Sequence, residues 1–366
     1  MQHSKDVLAP TPRFPTLREA LHVAPHAGAH FAALRVFLAS AVPLLVLLVF
    51  DRVDLMAYAL LTTVMAVYGR PLSRSGRLRM QGEAVAVQIV LLLAGTALAA
   101  TAPAVAIVIA LTSLVAGACT ALADVRRWTP PGAVFFVFAF AVTALGGPHV
   151  DLLLAGATAI SAALFTLLVT FLFSRGGGTP AVVETLSGHR RRIIVTHALV
   201  CMLGAGVAGA LALGLGLSHP YWSMVSAIVP VVGVRTSIQT LRAAHRVIGT
   251  LAGLLVALAI FSWPMPVPVL LVVLVAVMSC IELFVARNYA VALLFLTPFT
   301  VGILFLAGPV DLGSVLVLRG AETVLGVTVG FVFVLATHAI RHPKEPTQDR
   351  HRGSQEDPER ADREQG

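Results

Sequence analysis

The chain has 366 residues, 57% of them hydrophobic and only 12% charged, with a mean hydropathy of +0.88. Soluble domains carry about 25% charged residues, so a water-solvated globule is excluded, and bulk disorder fails on the same apolar content. The formal charge of +8 and the pI near 10.2 come from scattered residues, with no basic run long enough for nucleic acid, and point to membrane orientation instead.

Residues 1–30 are polar and Pro-rich and read as a cytoplasmic arm. His22, His26 and His30 recur every fourth residue, but Pro25 and Gly28 stand against a helix there and no Cys or acidic residue completes a ligand set, so no metal is expected. Asp51-Arg52-Val53-Asp54 follows the first apolar stretch where a signal peptide would carry small residues. Apolar stretches then run to Ile340, at 32–50, 55–69, 84–101, 104–122, 132–147, 152–173, 193–217, 220–234, 247–263, 267–286, 289–307 and 313–338. The uncharged run from Ala84 to Ala123 would reach about 60 Å as one helix, about twice the hydrocarbon thickness, so it divides at Pro103. Residues 341–366 are rich in charge, Gln and Pro and read as a disordered cytoplasmic tail.

The expected fold is therefore all-α and membrane-integral, with about twelve transmembrane helices. If the amino terminus is inside, every one of the 26 Lys and Arg residues except Arg52 and Arg319 falls in the arm, inner loops or tail, as the positive-inside rule asks. Both termini are then cytoplasmic and the location is the plasma (inner) membrane. Internal repetition adds two parallel six-helix repeats, 31–175 and 193–340, joined by a cytoplasmic linker at 176–192. At an offset of 165, Arg70 and Arg77 fall on Arg235 and Arg242; at 161, Cys119, Arg126 and Gly147-Pro148 fall on Cys280, Arg287 and Gly308-Pro309. Inside the second half, Arg246, Thr250 and Gly253 are echoed by Arg319, Thr323 and Gly326, as nested inverted repeats would produce.

Cys119, Cys201 and Cys280 have no metal-ligand or disulfide spacing and read as small hydrophobes. No phosphate-binding loop, dinucleotide fingerprint or nucleophile elbow is present in the sequence. An enzyme is not expected, nor a cofactor, and an ion gradient becomes the expected drive for any transport.

Tyr221-Trp222-Ser223-Met224, then Arg235, Arg242 and the run His245-Arg246-Val247-Ile248-Gly249-Thr250, resembles the FUSC family of fusaric-acid-resistance and aromatic-acid-exporter membrane proteins. Gly308-Pro309, Arg319 and Thr323 resemble its closing segment. The resemblance covers 190–340 well and 30–175 more loosely, and implies a transporter that exports small organic anions such as aromatic carboxylic acids. Two departures stand out: the halves are joined by a short linker where larger members carry a cytoplasmic domain, and Gln81 and Ala57 stand where the second half has Arg246 and Trp222. A passive anion channel of the same fold and a non-transporting scaffold are the alternatives. The partners expected are an organic anion and the lipid bilayer, with a homo-oligomer or an accessory envelope protein left open.

A charge at a helix centre in the bilayer costs at least ~2.5 kcal/mol, so each intramembrane ionisable group needs a reason. Arg319 and Glu322 lie three positions apart and share a helix face; they are an anion contact and a proton-coupling group, or a self-neutralising pair, or Arg319 snorkels to headgroups. Glu282 is a second coupling candidate, or an interfacial partner of Arg287. Glu83 borders a basic loop. Arg235, Arg242 and Arg246 form an inner basic vestibule in the light of the resemblance, and topology signals otherwise. Tyr221 and Trp222 wall a ring-bearing substrate or belong to the interfacial aromatic belt. Thr250 and Thr323 complete the substrate-path candidates. The short spans 55–69 and 220–234, the second broken by Pro230, mark the expected binding depth.

Overall fold

The computed structural model describes residues 29–146, 150–174, 188–232, 236–285, 287–307 and 311–341, together with Val23 and Pro25. Arg235, His22, His26, both Gly-Pro dipeptides, most of the arm, residues 175–187 and the tail beyond Arg341 lie outside the described residues.

Twelve α-helices fill the described residues. They are α1 (Ala29–Val49), α2 (Met56–Thr63), α3 (Arg74–Ala99), α4 (Val105–Arg126), α5 (Val134–Gly146) and α6 (Leu152–Phe173), then α7 (Gly188–Gly214), α8 (Pro220–Val231), α9 (Thr236–Phe261), α10 (Val267–Phe284), α11 (Tyr289–Ala307) and α12 (Leu312–Arg341). Local chemistry sets their ends. The expected division at Pro103 falls between α3 and α4, where Ala102 takes φ 46°. Asp151 caps α6 by accepting from the N–H groups of Leu153 and Leu154 at 2.9 and 3.0 Å. Asp311 accepts from the Ser314 N–H at 3.0 Å at the start of α12, and the Ser314 hydroxyl with that N–H holds its carboxyl below the ordinary carboxylate range. Pro220 opens α8, where its missing N–H is no loss. α7 begins at Gly188, inside the stretch expected as linker.

Among the described residues, nine helices are long and apolar enough to cross a membrane. The other three expected spans are shorter than the sequence suggested. α2 has 8 residues between two 3₁₀ turns, Val53–Leu55 and Val64–Val67, α5 has 13 and α8 has 12. At 1.5 Å per residue α8 reaches only about 18 Å. Every residue of α8 is buried, so its free ends face protein, where irregular backbone at membrane depth is tolerable. Leu153, Leu164, Leu255, Val272 and Val317 project outward, the apolar surface a lipid solvent accepts.

The helix contacts come in matched sets. α2 packs on α6 as α8 packs on α12; α3 on α5 as α9 on α11; α4 on α7 as α10 on α1; α5 on α8 as α11 on α2. Both main hydrophobic clusters mix early and late helices: Leu92 and Phe136 cluster with Cys201 and Ile228, and Val36 and Leu60 with Leu274 and Phe299. The tightest seam is α8 on α12. A Cβ at Gly326 or Gly330 would land on the carbonyl oxygen of Ser223 or Ala227 respectively, so glycine lets α12 lie directly against the α8 backbone.

Candidate functional site

That close seam carries a buried polar cluster. Arg319 and Glu322 project from α12, and both are shielded from solvent, at 2% and 0% exposure. The snorkelling alternative for Arg319 therefore does not hold. Its guanidinium carbon lies 3.2 Å from the ring centroid of Trp222, a cation–π contact with the start of α8. Trp222 is backed in turn by Phe138 of α5, with centroids 4.7 Å apart and planes at 31°. Trp222 and Tyr221 are interior residues at 4% exposure each, so they form no interfacial belt here.

The pairing suggested by the spacing of Arg319 and Glu322 is not made. One Glu322 oxygen accepts from the backbone N–H of His219 at 2.9 Å, just ahead of α8, and the other has no partner. Arg319 keeps Nε and Nη1 without hydrogen-bond acceptors. Arg246, Glu322, Tyr221 and Tyr289 all lie within electrostatic reach of it. Arg246, only 1% exposed, points from α9 toward α8, its Nη2 donating to the Ser226 hydroxyl at 3.2 Å. Its Nη1 reaches the Tyr289 hydroxyl of α11 at 3.5 Å. Ser223, Thr250, Thr297 and Thr323 sit on the same four helices with buried hydroxyls that lack partners. Arg246 and Arg319 set two buried cations against the one buried carboxylate of Glu322, with donors of Arg319 to spare, a charge imbalance that is costly in a protein interior.

Tyr289 also lines a cavity of about 460 Å³, together with Tyr68, Arg70, Arg242, Glu282 and Phe299. The cavity draws walls from helices and loops on both sides of the 176–192 segment, and its Tyr289 is the residue that reaches Arg246. Arg242 lies in its wall, one helical turn before Arg246 on α9. Glu282 does not pair with Arg287, whose guanidinium instead lies over the Phe284 ring at 5.4 Å. Its partner is Arg70, with Nη2 2.9 Å from the carboxylate and 2.8 Å from the Glu282 carbonyl oxygen. Arg35 of α1 is within electrostatic reach of the same carboxylate. Glu83 is held by Arg79 at 3.2 Å, by Arg126, and by the Trp128 indole at 3.3 Å, well away from the cluster.

Residues 205–333 match the family model described as fusaric acid resistance protein-like. This segment, about a third of the chain, is similar to a fusaric acid resistance protein-like domain. No curated protein and no solved structure matches the chain.

The matched segment contains Tyr221, Trp222, Arg242, Arg246, Thr250, Arg319, Glu322 and Thr323, and the structure brings all but Arg242 into or against the buried cluster. Counted from the aspartates that precede them, α6 and α12 diverge at these positions: Ala159, Ala162 and Ala163 stand where the matched segment has Arg319, Glu322 and Thr323. Gln81 has Arg246's place on α3 and spends its amide on the carbonyls of Ala66 and Tyr68, at 2.9 and 3.1 Å. Beside Ala162 lies only an apolar groove of about 340 Å³ between α1, α2 and α6. Phe138, His219, Ser226 and Arg70 were not among the sequence candidates. Arg70 could have been raised by its match to Arg235; Phe138 gave no signal, since only tertiary packing sets it on Trp222.

Proposed function

We propose that the chain is a plasma-membrane transporter that exports small organic anions, aromatic carboxylic acids in particular. The observation that carries this reading is the pair of buried arginines, Arg246 and Arg319, the second with unused guanidinium N–H groups beside the Trp222 ring. A carboxylate accepts from guanidinium in a bidentate fashion, while the Arg319 face that Trp222 now covers is the place for an aromatic ring once Trp222 moves aside. The cavity of about 460 Å³ is within the size range of small-molecule sites and supplies an approach past Arg242 and Tyr289. The resemblance to fusaric acid resistance proteins over 205–333 supports the substrate class.

Glu322 is the coupling group in this reading. It sits where a proton on its free oxygen changes the charge felt by Arg319, and so the affinity for an anion. The twelve-crossing topology, with two parallel six-helix repeats and both termini cytoplasmic, is part of the same proposal. The paired helix contacts and the one-sided arginines support it.

The test is flux of radiolabelled benzoate in proteoliposomes with and without a pH gradient. The gradient should accelerate wild-type flux, and Glu322→Gln should abolish the acceleration. Arg246→Gln should lower flux roughly 10- to 100-fold, the value of a charge-assisted hydrogen bond of about 1.5–3 kcal/mol. Full gradient-driven flux in Glu322→Gln would remove the coupling claim, and an unchanged Arg246→Gln would remove the site. Steady benzoate currents under voltage clamp, without coupling, would assign the fold to the passive channel.

A further inference from the structure

We propose that, between organic guests, the chamber around Arg246 and Arg319 holds one small inorganic monoanion of the halide type, which an incoming carboxylate displaces. This rests on the reading of the chamber as the anion site and adds what occupies it when no organic acid is bound.

Charge comes first. Arg246 and Arg319 bring two positive charges and Glu322 one negative charge, all three buried. Among the described residues of α8, α9, α11 and α12, the remaining Asp, Glu, Lys or Arg side chains are Arg242, which faces the cavity, and Arg341, at the far end of α12. His245, beside Arg246, brings no negative charge. His219 and Tyr221 of the α8 entrance and Arg319 itself are the titratable groups that face Glu322. With Glu322 ionised, the chamber therefore carries one positive charge in excess. An uncompensated buried ion is penalised by several kcal/mol, and one monoanion removes the excess.

Hydrogen-bonding chemistry selects the same sign. Several buried threonines elsewhere return their hydroxyl protons to the preceding turn, as Thr62 does to the Tyr58 carbonyl at 2.8 Å and Thr166 to Ala162 at 2.7 Å, while Thr112, Thr120 and Thr170 are scattered hydroxyls that do not. Nor do Ser223, Thr250 and Thr323, and Arg319 Nε and Nη1 are also unspent. The hydroxyls can donate or accept, but the Arg319 N–H groups can only donate, and beside two cations the hydroxyl protons turn toward an anion.

Shape then sets the size. Trp222 covers the face of the Arg319 guanidinium at 3.2 Å, and Phe138 stands behind Trp222. A ring-bearing acid must move Trp222 before it can stack there. A spherical ion needs only the guanidinium edge and neighbouring hydroxyls, and leaves Trp222 on the guanidinium face.

The test uses the purified full chain carrying Trp128→Phe and Trp263→Phe, which leaves Trp222 as the one tryptophan. Sodium iodide is titrated against sodium gluconate at constant ionic strength while Trp222 fluorescence is followed. The proposal predicts saturable quenching that benzoate reverses, and at least a tenfold higher half-saturation in Arg246→Gln. Thr250→Val, which keeps every charge, should weaken iodide severalfold and guards against a misfolded Arg246 variant. In the unmodified chain, bromide should raise the thermal midpoint relative to gluconate. Quenching that is absent, or unsaturable and indifferent to both variants, overturns the proposal. If benzoate still perturbs Trp222 in that case, the organic-anion reading stands without the halide; if neither anion is felt, both fall.

Discussion

Arg319 shows how a single side chain's surroundings change its meaning. Hydropathy marks it from the sequence, because a lone arginine in an apolar run demands a reason. The run does not reveal that Glu322 turns away from it. The start of a helix presents N–H groups with no intrahelical acceptor, and the His219 N–H just ahead of α8 takes the carboxylate at 2.9 Å, leaving Arg319 to Trp222. Trp222 was equally ambiguous, since an aromatic at the head of a short span usually marks the interface; only the depth of α8 inside the bundle makes it a wall of the chamber. The planar stack yields a residue-level prediction. Arg319→Lys keeps the charge but loses the flat, forked guanidinium, so equilibrium binding of labelled benzoate should weaken roughly tenfold, about 1.4 kcal/mol. Equal affinity would mean that charge alone recruits the guest.

Among the elements, the short helices carry the most information. Their positions were legible, because runs 55–69, 132–147 and 220–234 are visibly brief beside their neighbours. Their depth was not legible, since apolar composition alone does not separate a span from a helix buried among other helices. α8 is placed by α12 through Gly326 and Gly330, which have no Cβ to hold the backbones apart. Gly330→Ala should therefore force that seam open and lower stability by about 1–3 kcal/mol, seen as a lower thermal midpoint and weaker benzoate binding together. Gly214→Ala is the control, because a Cβ there meets nothing nearby. Loss in the control equal to that at Gly330 would deny the seam its role. Fidelity of the cluster geometry thus depends on one glycine-lined contact more than on helix propensity.

At the scale of the whole molecule, the offsets of 165 and 161 residues are the basis of the proposed duplication, and the matched helix contacts support that proposal. What no offset revealed is that the two stretches share their cores and their cavity, because residues distant in sequence build each wall. Arg70 and Glu282 are the clearest instance, an ion pair across 212 residues at the cavity edge. Glu282→Gln should leave Arg70 and Arg35 uncompensated and destabilise the fold by about 3 kcal/mol. Arg70→Gln combined with Glu282→Gln should recover part of that loss in a double-mutant cycle; strictly additive losses would show that the pair does not couple the stretches. The proposed repeats are unequal: alanines and a glutamine stand in α6 and α3 where α12 and α9 carry the charged set, so one anion per chain is expected.

The most direct measurement is equilibrium binding of benzoate against benzamide, its uncharged near-isostere, to the purified full chain and to Arg246→Gln. A chamber built on two buried guanidinium groups should bind benzoate at least ~100-fold more tightly than benzamide, as expected when a charged partner is lost, and Arg246→Gln should erase most of that preference. Equal binding of the two compounds, or a preference untouched by Arg246→Gln, would contradict the account.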